Sequence, residues 1–393
     1  MTGIQALAYL NRIDPIQAPY RVSQPDGIAW LMRATTRAAE GRSGGEPRRR
    51  VERALDLYER LLQQKALSTR ATVLTDYTHE RWDEMQLYRP HTRDEGSLAP
   101  WYAPPLGQRM ELFATHAQKM IEEAFPEGSP APRALVEVSC TGYQAPYPAQ
   151  NLALRRAWHD QIQLVKLGHM GCYASVPALQ LAADLSRARP TRRTDAGSDS
   201  VSVFSVELCT LHLRPHATDL DQMIANMLFA DGAVRFDVGA APGPRSLALL
   251  ASHESLVPES AGLMEWKLSD AGFAMLLSRG VSQKIAAGIK GYLDNFLLPL
   301  GLNWREIDRF AVHPGGPKII DTVQEGLDLP EKAVAHSRRI LQEHGNMSSS
   351  TLPFVWKSLL DDPEVKAGEL IVSMAFGPGL TVALNLLQKL PQR

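Results

Sequence analysis

The chain has 393 residues, 44% of them hydrophobic, and a formal net charge of -1 at pH 7. This length allows a large core built as two domains or one duplicated fold, and the near-neutral charge argues against binding nucleic acid or anionic lipid through the overall field. The three cysteines form no Cys-x-x-Cys pair, which argues against zinc, and no run of about 18 apolar residues indicates a membrane span, so we expect a cytosolic protein.

The first third of the chain is predicted to consist of loops and amphipathic helices. Residues 41–50 are rich in Gly and Arg and are expected to form an exposed loop. Apolar residues then recur at helical spacing over 51–65, and a second helical pattern covers 111–125. Prolines and glycines crowd positions 98–107, which predicts an irregular connection between the two helices.

From residue 134 the pattern changes to short apolar runs that alternate with helices. Strands are predicted at 134–140, 201–208 and 233–238, and helices at 152–167 and 175–187. The polar segment 189–200 is predicted to be a solvated loop. We place a domain boundary in the glycine- and proline-rich turn at 239–244, which divides the chain into residues 1–238 and 239–393.

The second half repeats this alternation. Helices are predicted at 282–298, 318–326, 332–343 and 350–360, and strands at 309–313, 369–376 and 380–387. Strands and helices that alternate in two comparable halves indicate a layered α/β fold.

Three glycine-rich turns each contain a side chain capable of catalysis: Cys172, His313 and Asn346. A cysteine nucleophile requires a base that takes its proton, and an oxyanion or enolate on the substrate requires hydrogen-bond donors aimed at it. Such partners meet in space and need not be close in sequence. In both halves the active residue is predicted to lie where a strand gives way to a helix or loop, which is the usual place for chemistry in α/β proteins.

Four runs closely resemble motifs of the type III polyketide synthases, the chalcone synthase family. They are Met-Leu-Phe-Ala-Asp-Gly-Ala at 227–233, His-Pro-Gly-Gly-Pro at 313–317, Gly-Asn-Met-Ser-Ser at 345–349 and Ala-Phe-Gly-Pro-Gly-Leu-Thr at 375–381. They follow the family's order and spacing from about residue 134 to the C-terminus, whereas the first 130 residues or so match weakly. The resemblance implies a thiolase-like αβαβα layered sandwich made of two similar halves.

The resemblance also implies a role for each of the three residues. Cys172 would carry the acyl group as a thiolate favoured by a helix N-terminus, although most free cysteines are small buried hydrophobes. His313, which could otherwise be an ordinary loop histidine, would keep that thiolate ionised and donate to the thioester carbonyl. Asn346 would donate with His313 to the enolate formed when malonyl-CoA loses carbon dioxide. Alternatively, Asn346 caps the helix that starts near Ser348.

Two aromatic gatekeepers separate the entry tunnel from the reaction cavity in this family. Phe229 matches the first, although the same residue could also be ordinary core packing. The second position holds Met275, a departure that would make the gate softer because a thioether side chain is flexible. Phe376, within the motif at 375–381, is predicted to line the same pocket.

Three further pocket positions depart from the plant enzymes, which have Thr, Thr and Gly there. This chain has Cys140, His212 and Trp266, and a cysteine at the first position resembles bacterial members. The two larger residues are expected to shrink or reshape the pocket, which predicts a short product or a differently directed cyclisation and not the plant chalcone. His212 and the nearby Cys209 could equally be structural.

The resemblance also implies how CoA is recognised. In this family, basic residues on an N-terminal helix hold the CoA phosphates. Lys65 and Arg70 are the nearest matches, whereas two of the expected basic positions hold Tyr58 and Leu61. The arginine run at 48–50 could substitute for them or form part of a solvated loop.

The resemblance therefore implies a homodimeric, iterative acyltransferase that uses an acyl-CoA starter and malonyl-CoA, with no further cofactor, and releases a pyrone, a resorcinol or a related phenolic. Two alternatives stay open. One is the ketoacyl synthase that starts fatty acids from a carrier-bound substrate, although its usual histidine motif lacks the Gly-Gly-Pro at 315–317. The other is a non-catalytic thiolase-fold protein that binds an acyl ligand or a partner synthase.

Overall fold

The structure is a computed structural model that describes residues 3–40, 45–63, 67–89, 92–93, 97–98, 104–188, 198–215, 217–269, 272–278 and 280–392. The α-helices in these ranges are α1 (Gln24–Glu40), α2 (Gly45–Leu62), α3 (Leu106–Ala124), α4 (Pro148–Arg155), α5 (Ser175–Arg187), α6 (Leu220–Leu228), α7 (Gly280–Leu297), α8 (Pro317–Leu327), α9 (Glu331–His344) and α10 (Thr351–Asp361). None of the helices in this part of the chain has the length and apolarity needed to cross a membrane.

The strands in the same ranges are β1 (Ala8–Gln17), β2 (Tyr20–Ser23), β3 (Thr69–Thr72), β4 (Thr92–Arg93), β5 (Ser97–Leu98), β6 (Pro132–Ser139), β7 (Gln163–Gly168), β8 (Ser198–Leu208), β9 (Asp231–Gly239), β10 (Leu247–Leu256), β11 (Met264–Ser269), β12 (Gly272–Leu277), β13 (Arg309–Val312), β14 (Leu370–Gly377) and β15 (Thr381–Lys389). Short 3-10 turns include Cys209–His212 and Ser348–Ser350.

Nine of these strands form one mixed sheet in the order β13-β14-β15-β10-β1-β9-β8-β6-β7. β6 is parallel to β7 and β8, and β13 is parallel to β14, while the remaining pairs are antiparallel. β1 joins the two halves because it pairs with β10 on one side, at Tyr9 and Ala248, and with β9 on the other, at Ile13 and Phe236. The sheet therefore runs through both halves of the chain.

Two buried helices, α5 and α10, lie between the two parts of this sheet. α5 contacts β6, β8 and β9 from the first half and β10, β14 and β15 from the second, and α10 contacts β1, β9 and β13. Trp356 of α10 is fully buried, donates through Nε1 to Ser373 Oγ at 2.7 Å and meets the Phe236 ring edge-on at 5.7 Å. The sides of α5 and α10 that face the strands are apolar, whereas polar residues such as Asp184 and Asp361 are exposed toward their C-terminal ends.

The outer helices complete the layers. α3 packs on β1, β8 and β9, and α4 packs on α3, whereas α9 packs on β13 and is followed outward by α8 and α7. Separate clusters of buried apolar side chains lie under these two outer layers, and a third surrounds α5 and α10. The order helix, sheet, helix, sheet, helix confirms the predicted αβαβα sandwich.

Three of the predicted elements are wrong in whole or in part. The predicted loop at 189–200 is wrong from Ser198, where β8 begins, and its residues 189–197 lie outside the described residues. The predicted helix at 152–167 is split: α4 ends at Arg155, Ala157 adopts a left-handed conformation with φ of 55°, and β7 follows. Gln163 and Lys166 alternate with apolar residues at the strand period of two, a signal that the helical interpretation overlooked. The predicted loop at 41–50 is also wrong from Gly45 onward, because α2 begins there.

Candidate active site

Cys172 lies in the turn between β7 and α5, and its loop is shaped by two residues with left-handed backbone. His169 has a φ of 59° and Gly171 a φ of 81°. A side chain at Gly171 would be strained by that φ, and its Cβ would come within 2.9 Å of Pro378 Cδ. α5 begins at Ser175, so the sulfur lies one turn before the N-terminus of the buried helix.

Asn346 follows α9 and is fixed through both its backbone and its amide. Its N–H donates to Leu228 O at 2.8 Å, and its carbonyl accepts from Ala230 N at 2.9 Å. The side-chain Oδ1 accepts from Ser348 N at 2.9 Å, and Nδ2 donates to Gly315 O at 3.1 Å. The amide oxygen is therefore occupied in capping the 3-10 turn, while Nδ2 has a second N–H, which reaches the sulfur of Cys172.

His313 follows β13 and extends its pairing with β14 through a 2.7 Å bond from its N–H to Met374 O. The side chain is 2% exposed, and neither ring nitrogen has a hydrogen-bond partner among the described residues. Burial lowers the pKa of His313 to about 3, so the imidazole is neutral at physiological pH. It offers one N–H donor and one lone pair.

Ser348, which the sequence interpretation missed, connects these loops. Its Oγ lies 3.6 Å from Cys172 Sγ and 3.2 Å from Cys140 Sγ. Its backbone N–H holds the Asn346 amide, and that amide reaches Gly315, two residues after His313. The structure thus brings the three predicted loops together. The signal for Ser348 was present in the motif at 345–349, although the serine itself carried no distinctive feature.

The Cys172 thiol is neutral in the free protein. Burial raises its pKa to about 11; a hydrogen bond from Ser348 opposes the shift, the charge of Glu207 adds to it, and a hydrogen bond from Asn346 again opposes it. The thiolate expected from the sequence is therefore not the form that this environment favours. Ionisation would require a base, and the neutral imidazole of His313 has the lone pair to supply one.

Glu207, also missed from the sequence, lies fully buried beneath the site. It accepts from the Cys140 backbone N–H at 3.1 Å and from Thr141 Oγ1 at 2.7 Å, and it bonds to Ser349 Oγ. Burial raises the pKa of this carboxyl. Its hydrogen bonds hold the 140–141 turn against the serine turn that contacts Cys172.

An inner cavity opens beside Cys172, with about 580 Å³ of atom-free space, part of it open to solvent. Its walls include five of the predicted pocket residues: Cys140, His212, Phe229, Trp266 and Met275. The prediction for Phe376 is wrong, because its side chain is 3% exposed and packs in the core under the outer helices of the second half. Strand β14 turns this side chain away from the cavity. Cys209, weighed as a structural residue, does line the cavity.

The β11–β12 hairpin covers the inner cavity with an apolar face. Trp266 lies opposite Met275 and Leu268 lies opposite Phe273, so these residues share one side of the hairpin. The Trp266 and Phe273 rings stack at 5.1 Å, and Trp266 Nε1 donates to Cys140 O at 2.9 Å. Phe273, which the sequence did not single out, therefore supports the indole that narrows the cavity.

An outer cleft with about 1150 Å³ of atom-free space, part of it open to solvent, lies on the other side of the 227–229 segment. Leu228 lines this cleft, whereas Phe229 lines the inner cavity. Gly315 and Gly316 also line the cleft, directly after His313, and Lys318 lies farther along the wall. The three converging loops are thus approached from two sides.

Arg70 does not fit the predicted contact with CoA phosphates. Its side chain is 3% exposed, its guanidinium bonds to Asn226 O and its charge lies 4.6 Å from the centre of the Tyr77 ring. Arg70 therefore braces the end of α6 from inside the protein. Tyr58 is buried as well, Leu61 lines the outer cleft, and Lys65 lies outside the described residues.

Comparison with known families identifies the class of protein. The family model for the N-terminal domain of chalcone and stilbene synthases matches residues 53–242, and that for the C-terminal domain matches residues 248–391. Together the two ranges cover well over half of the chain. The protein therefore belongs to the chalcone and stilbene synthase family, the type III polyketide synthases, and is an acyltransferase.

Solved structures share its thiolase-like fold. PKS-I from the brown alga Ectocarpus siliculosus is 22% identical, with a TM-score of 0.81 over 99% of this chain and 100% of its own. 1,3,6,8-Tetrahydroxynaphthalene synthase from Streptomyces coelicolor A3(2) is 21% identical, with a TM-score of 0.77 over 98% of this chain and 100% of its own. The type III polyketide synthase domain of Steely1 from Dictyostelium is 21% identical, with a TM-score of 0.76 over 98% of this chain and 99% of its own. At these identities the likeness concerns the fold alone.

The raised pKa of Cys172 predicts how the thiol reacts with alkylating agents. Because the thiolate is the reactive form, the rate of labelling by iodoacetamide should rise about tenfold per pH unit between pH 7 and 10 without a plateau. Peptide mass spectrometry resolves Cys172 from Cys140 and Cys209, and the Cys172→Ser variant gives the background. A rate that levels off below about pH 8 would instead indicate a stable thiolate in the free protein.

Proposed function

We propose that this protein is an iterative type III polyketide synthase that extends an acyl-CoA starter with malonyl-CoA and cyclises the product. One observation carries the proposal: Cys172, His313 and Asn346 belong to loops that converge between an outer cleft and an inner cavity. A thioester that enters by the cleft meets the thiol there, and the growing chain has space on the far side.

In the loading step, Cys172 attacks the thioester carbonyl of the starter. Its proton passes to the neutral imidazole of His313, whose lone pair is free of any hydrogen bond among the described residues. The tetrahedral intermediate collapses, CoA leaves as the thiol with that proton, and the acyl group stays on Cys172. Because the pKa of the free thiol is high, Cys172 stays protonated until a substrate binds, and the thiolate nucleophile forms only during the reaction.

In the extension step, malonyl-CoA loses carbon dioxide and leaves an enolate of the CoA thioester. The second N–H of Asn346 Nδ2 and the N–H of His313 stabilise its oxygen, and burial strengthens both hydrogen bonds because water does not compete. The enolate carbon then attacks the acyl group on Cys172, and the sulfur leaves as a thiolate. Loss of carbon dioxide generates the carbanion directly. The proposed reaction therefore requires CoA thioesters as substrates and no further cofactor.

The shape of the inner cavity favours a short product. Trp266 and His212 occupy space that small residues would leave empty, and the indole is held by its bond to Cys140 O and by stacking on Phe273. Met275 on the hairpin adds a flexible wall. We therefore propose a pyrone, a resorcinol or a related phenolic as the product, and not the plant chalcone.

Incubation of the purified protein with labelled malonyl-CoA and a panel of acyl-CoA starters tests this function. We expect carbon dioxide release and a cyclic product of few extensions, both identified by mass spectrometry. Folded protein that gives no carbon dioxide and no polyketide with any starter would contradict the proposal. Activity with malonyl on a carrier protein, but not with free malonyl-CoA, would identify a ketoacyl synthase instead.

Replacement of Asn346 tests the donor that we assign to decarboxylation. Asn346→Ala removes the N–H aimed at the enolate, so the rate of carbon dioxide release from malonyl-CoA should fall about 100- to 1000-fold. Loading of a starter on Cys172, read by mass spectrometry of the intact protein, should fall much less. The matched control is Asn295→Ala on the exposed surface of α7. Decarboxylation by Asn346→Ala at the parent rate would remove the assignment.

We further propose that the protein is a homodimer joined through β7. β7 ends the nine-stranded sheet, and its outer edge has no strand partner in the part of the chain that the structure describes. Its central residues, including Leu164 and Leu167, are half-buried, whereas β13 at the other end is covered by α9. An uncovered edge favours pairing with a second strand, and antiparallel β7 strands would satisfy twofold symmetry.

A charge on this edge should separate the subunits. The parent protein should sediment at twice the 43.4 kDa mass of one chain. Leu164→Glu introduces two carboxylates at a twofold interface and should raise the dissociation constant by about 100-fold or more. Leu298→Glu, at a residue that is 58% exposed, serves as the control and should leave the dimer intact. A parent protein that sediments as a monomer would overturn the proposal.

A further inference from the structure

His212 ends the 3-10 turn after β8 and forms part of the wall of the inner cavity. Its side chain is only 4% exposed. The ring is wedged between two aromatic side chains, with edge-on contacts to Phe273 at 4.7 Å and to Trp266 at 6.2 Å. These contacts fix the plane of the imidazole, so the direction of each ring nitrogen is set by packing and not by solvent.

The hydrogen bond to Thr141 determines which nitrogen carries the proton. His212 Nε2 lies 2.7 Å from the Thr141 carbonyl oxygen, and because a carbonyl only accepts, Nε2 must donate. Burial lowers the pKa of His212 to about 3, with a smaller contribution in the same direction from the charge of Arg109. The ring is therefore neutral, and its Nδ1 holds a lone pair.

That lone pair has no partner. Nδ1 is buried, and no described protein atom donates a hydrogen bond to it. A buried acceptor without a donor is unfavourable by about 1–3 kcal/mol, which is why nearly all such groups are satisfied in folded proteins. Nearby walls of the cavity are apolar, with Leu213 and Met275 among them. Nδ1 is covered in the empty cavity, and the cavity wall that includes His212 would have to shift around a bound molecule for that molecule to supply the missing donor.

We propose that His212 Nδ1 accepts a hydrogen bond from an enolic or phenolic hydroxyl of the polyketide chain and so selects the conformation from which the ring closes. This inference rests on the proposed function. A keto oxygen carries only lone pairs and is repelled by Nδ1, whereas the enol of the same 1,3-diketone unit presents an O–H. His212 therefore favours one enolised position along the chain, and it acts as a positioning residue for cyclisation.

The proposed role of His212 is to accept a hydrogen bond and not to remove a proton. Its Nε2 already donates to Thr141 O, so the unprotonated Nδ1 is the ring nitrogen that can meet the chain. Acceptance of a hydrogen bond requires no ionisation. The bond would persist across the neutral range and would polarise the enol O–H throughout the ring-closing step.

Binding of two small aromatic compounds tests the acceptor without any catalysis. Resorcinol carries two O–H donors, and 1,3-dimethoxybenzene has a similar shape with none. The parent protein should prefer resorcinol, and His212→Phe should reduce the ratio of the two dissociation constants by about three- to tenfold, the effect of one neutral hydrogen bond. In His212→Gln, the amide N–H can reach Thr141 while the carbonyl still accepts, so this variant should retain the preference.

A spectroscopic measurement on the unmutated protein covers the case in which His212→Phe does not fold. In protein with ¹⁵N-labelled histidine, the Nδ1 resonance of His212 should be that of an unprotonated nitrogen, and it should move upfield with resorcinol but not with 1,3-dimethoxybenzene. An unchanged resonance, or equal binding ratios in the parent and His212→Phe, would overturn the inference.

Product analysis then connects the acceptor with cyclisation. With malonyl-CoA and an accepted starter, His212→Phe should change the ratio of cyclic products by about three- to tenfold, and His212→Gln should restore the parent ratio. An unchanged ratio in His212→Phe would refute the role in positioning. Failure of the proposed function would show differently, as a parent protein that makes no polyketide while the two binding ratios are still measurable.

Discussion

The carboxamide of Asn346 is the interaction on which the site depends. Its oxygen is held by the Ser348 backbone, and one of its N–H groups is held by Gly315, so two distant loops are fixed to one planar group. The backbone of the same residue pairs with the 228–230 segment, which separates the outer cleft from the inner cavity. A single residue therefore joins its own turn to the loop after His313 through its side chain and holds Phe229, which lines the inner cavity, beside them through its backbone.

Desolvation gives these groups their chemical character. Burial keeps the sulfur of Cys172 and the rings of His313 and His212 in their neutral forms, and it raises the pKa of the Glu207 carboxyl in the same region. In such surroundings, each hydrogen bond from a substrate counts more than it would in water, because no solvent replaces it. In the proposed reaction, the charged states of these groups form only when a substrate is bound.

The sequence was sufficient to locate the three glycine-rich turns that the fold brings together, because such turns are local features that can be recognised without knowledge of the fold. It did not identify Ser348 or Phe273, whose importance arises from contacts with residues more than 100 positions away or across a hairpin. Arg70 was misassigned because residue type does not reveal whether a side chain points inward or outward. Phe376 was misassigned for the same reason, since neighbouring residues of a strand face opposite sides.

Strand β1 has a consequence for how the protein is made. Residues 8–17 are synthesised early, yet they pair with residues 232–239 and 247–249, more than 200 positions later. While the ribosome produces the intervening chain, this segment lacks both strands that pair with it and stays open to aggregation or to chaperones. Because the two halves of the sheet meet on either side of this strand, neither can be completed early, which makes maturation a late and largely cooperative event.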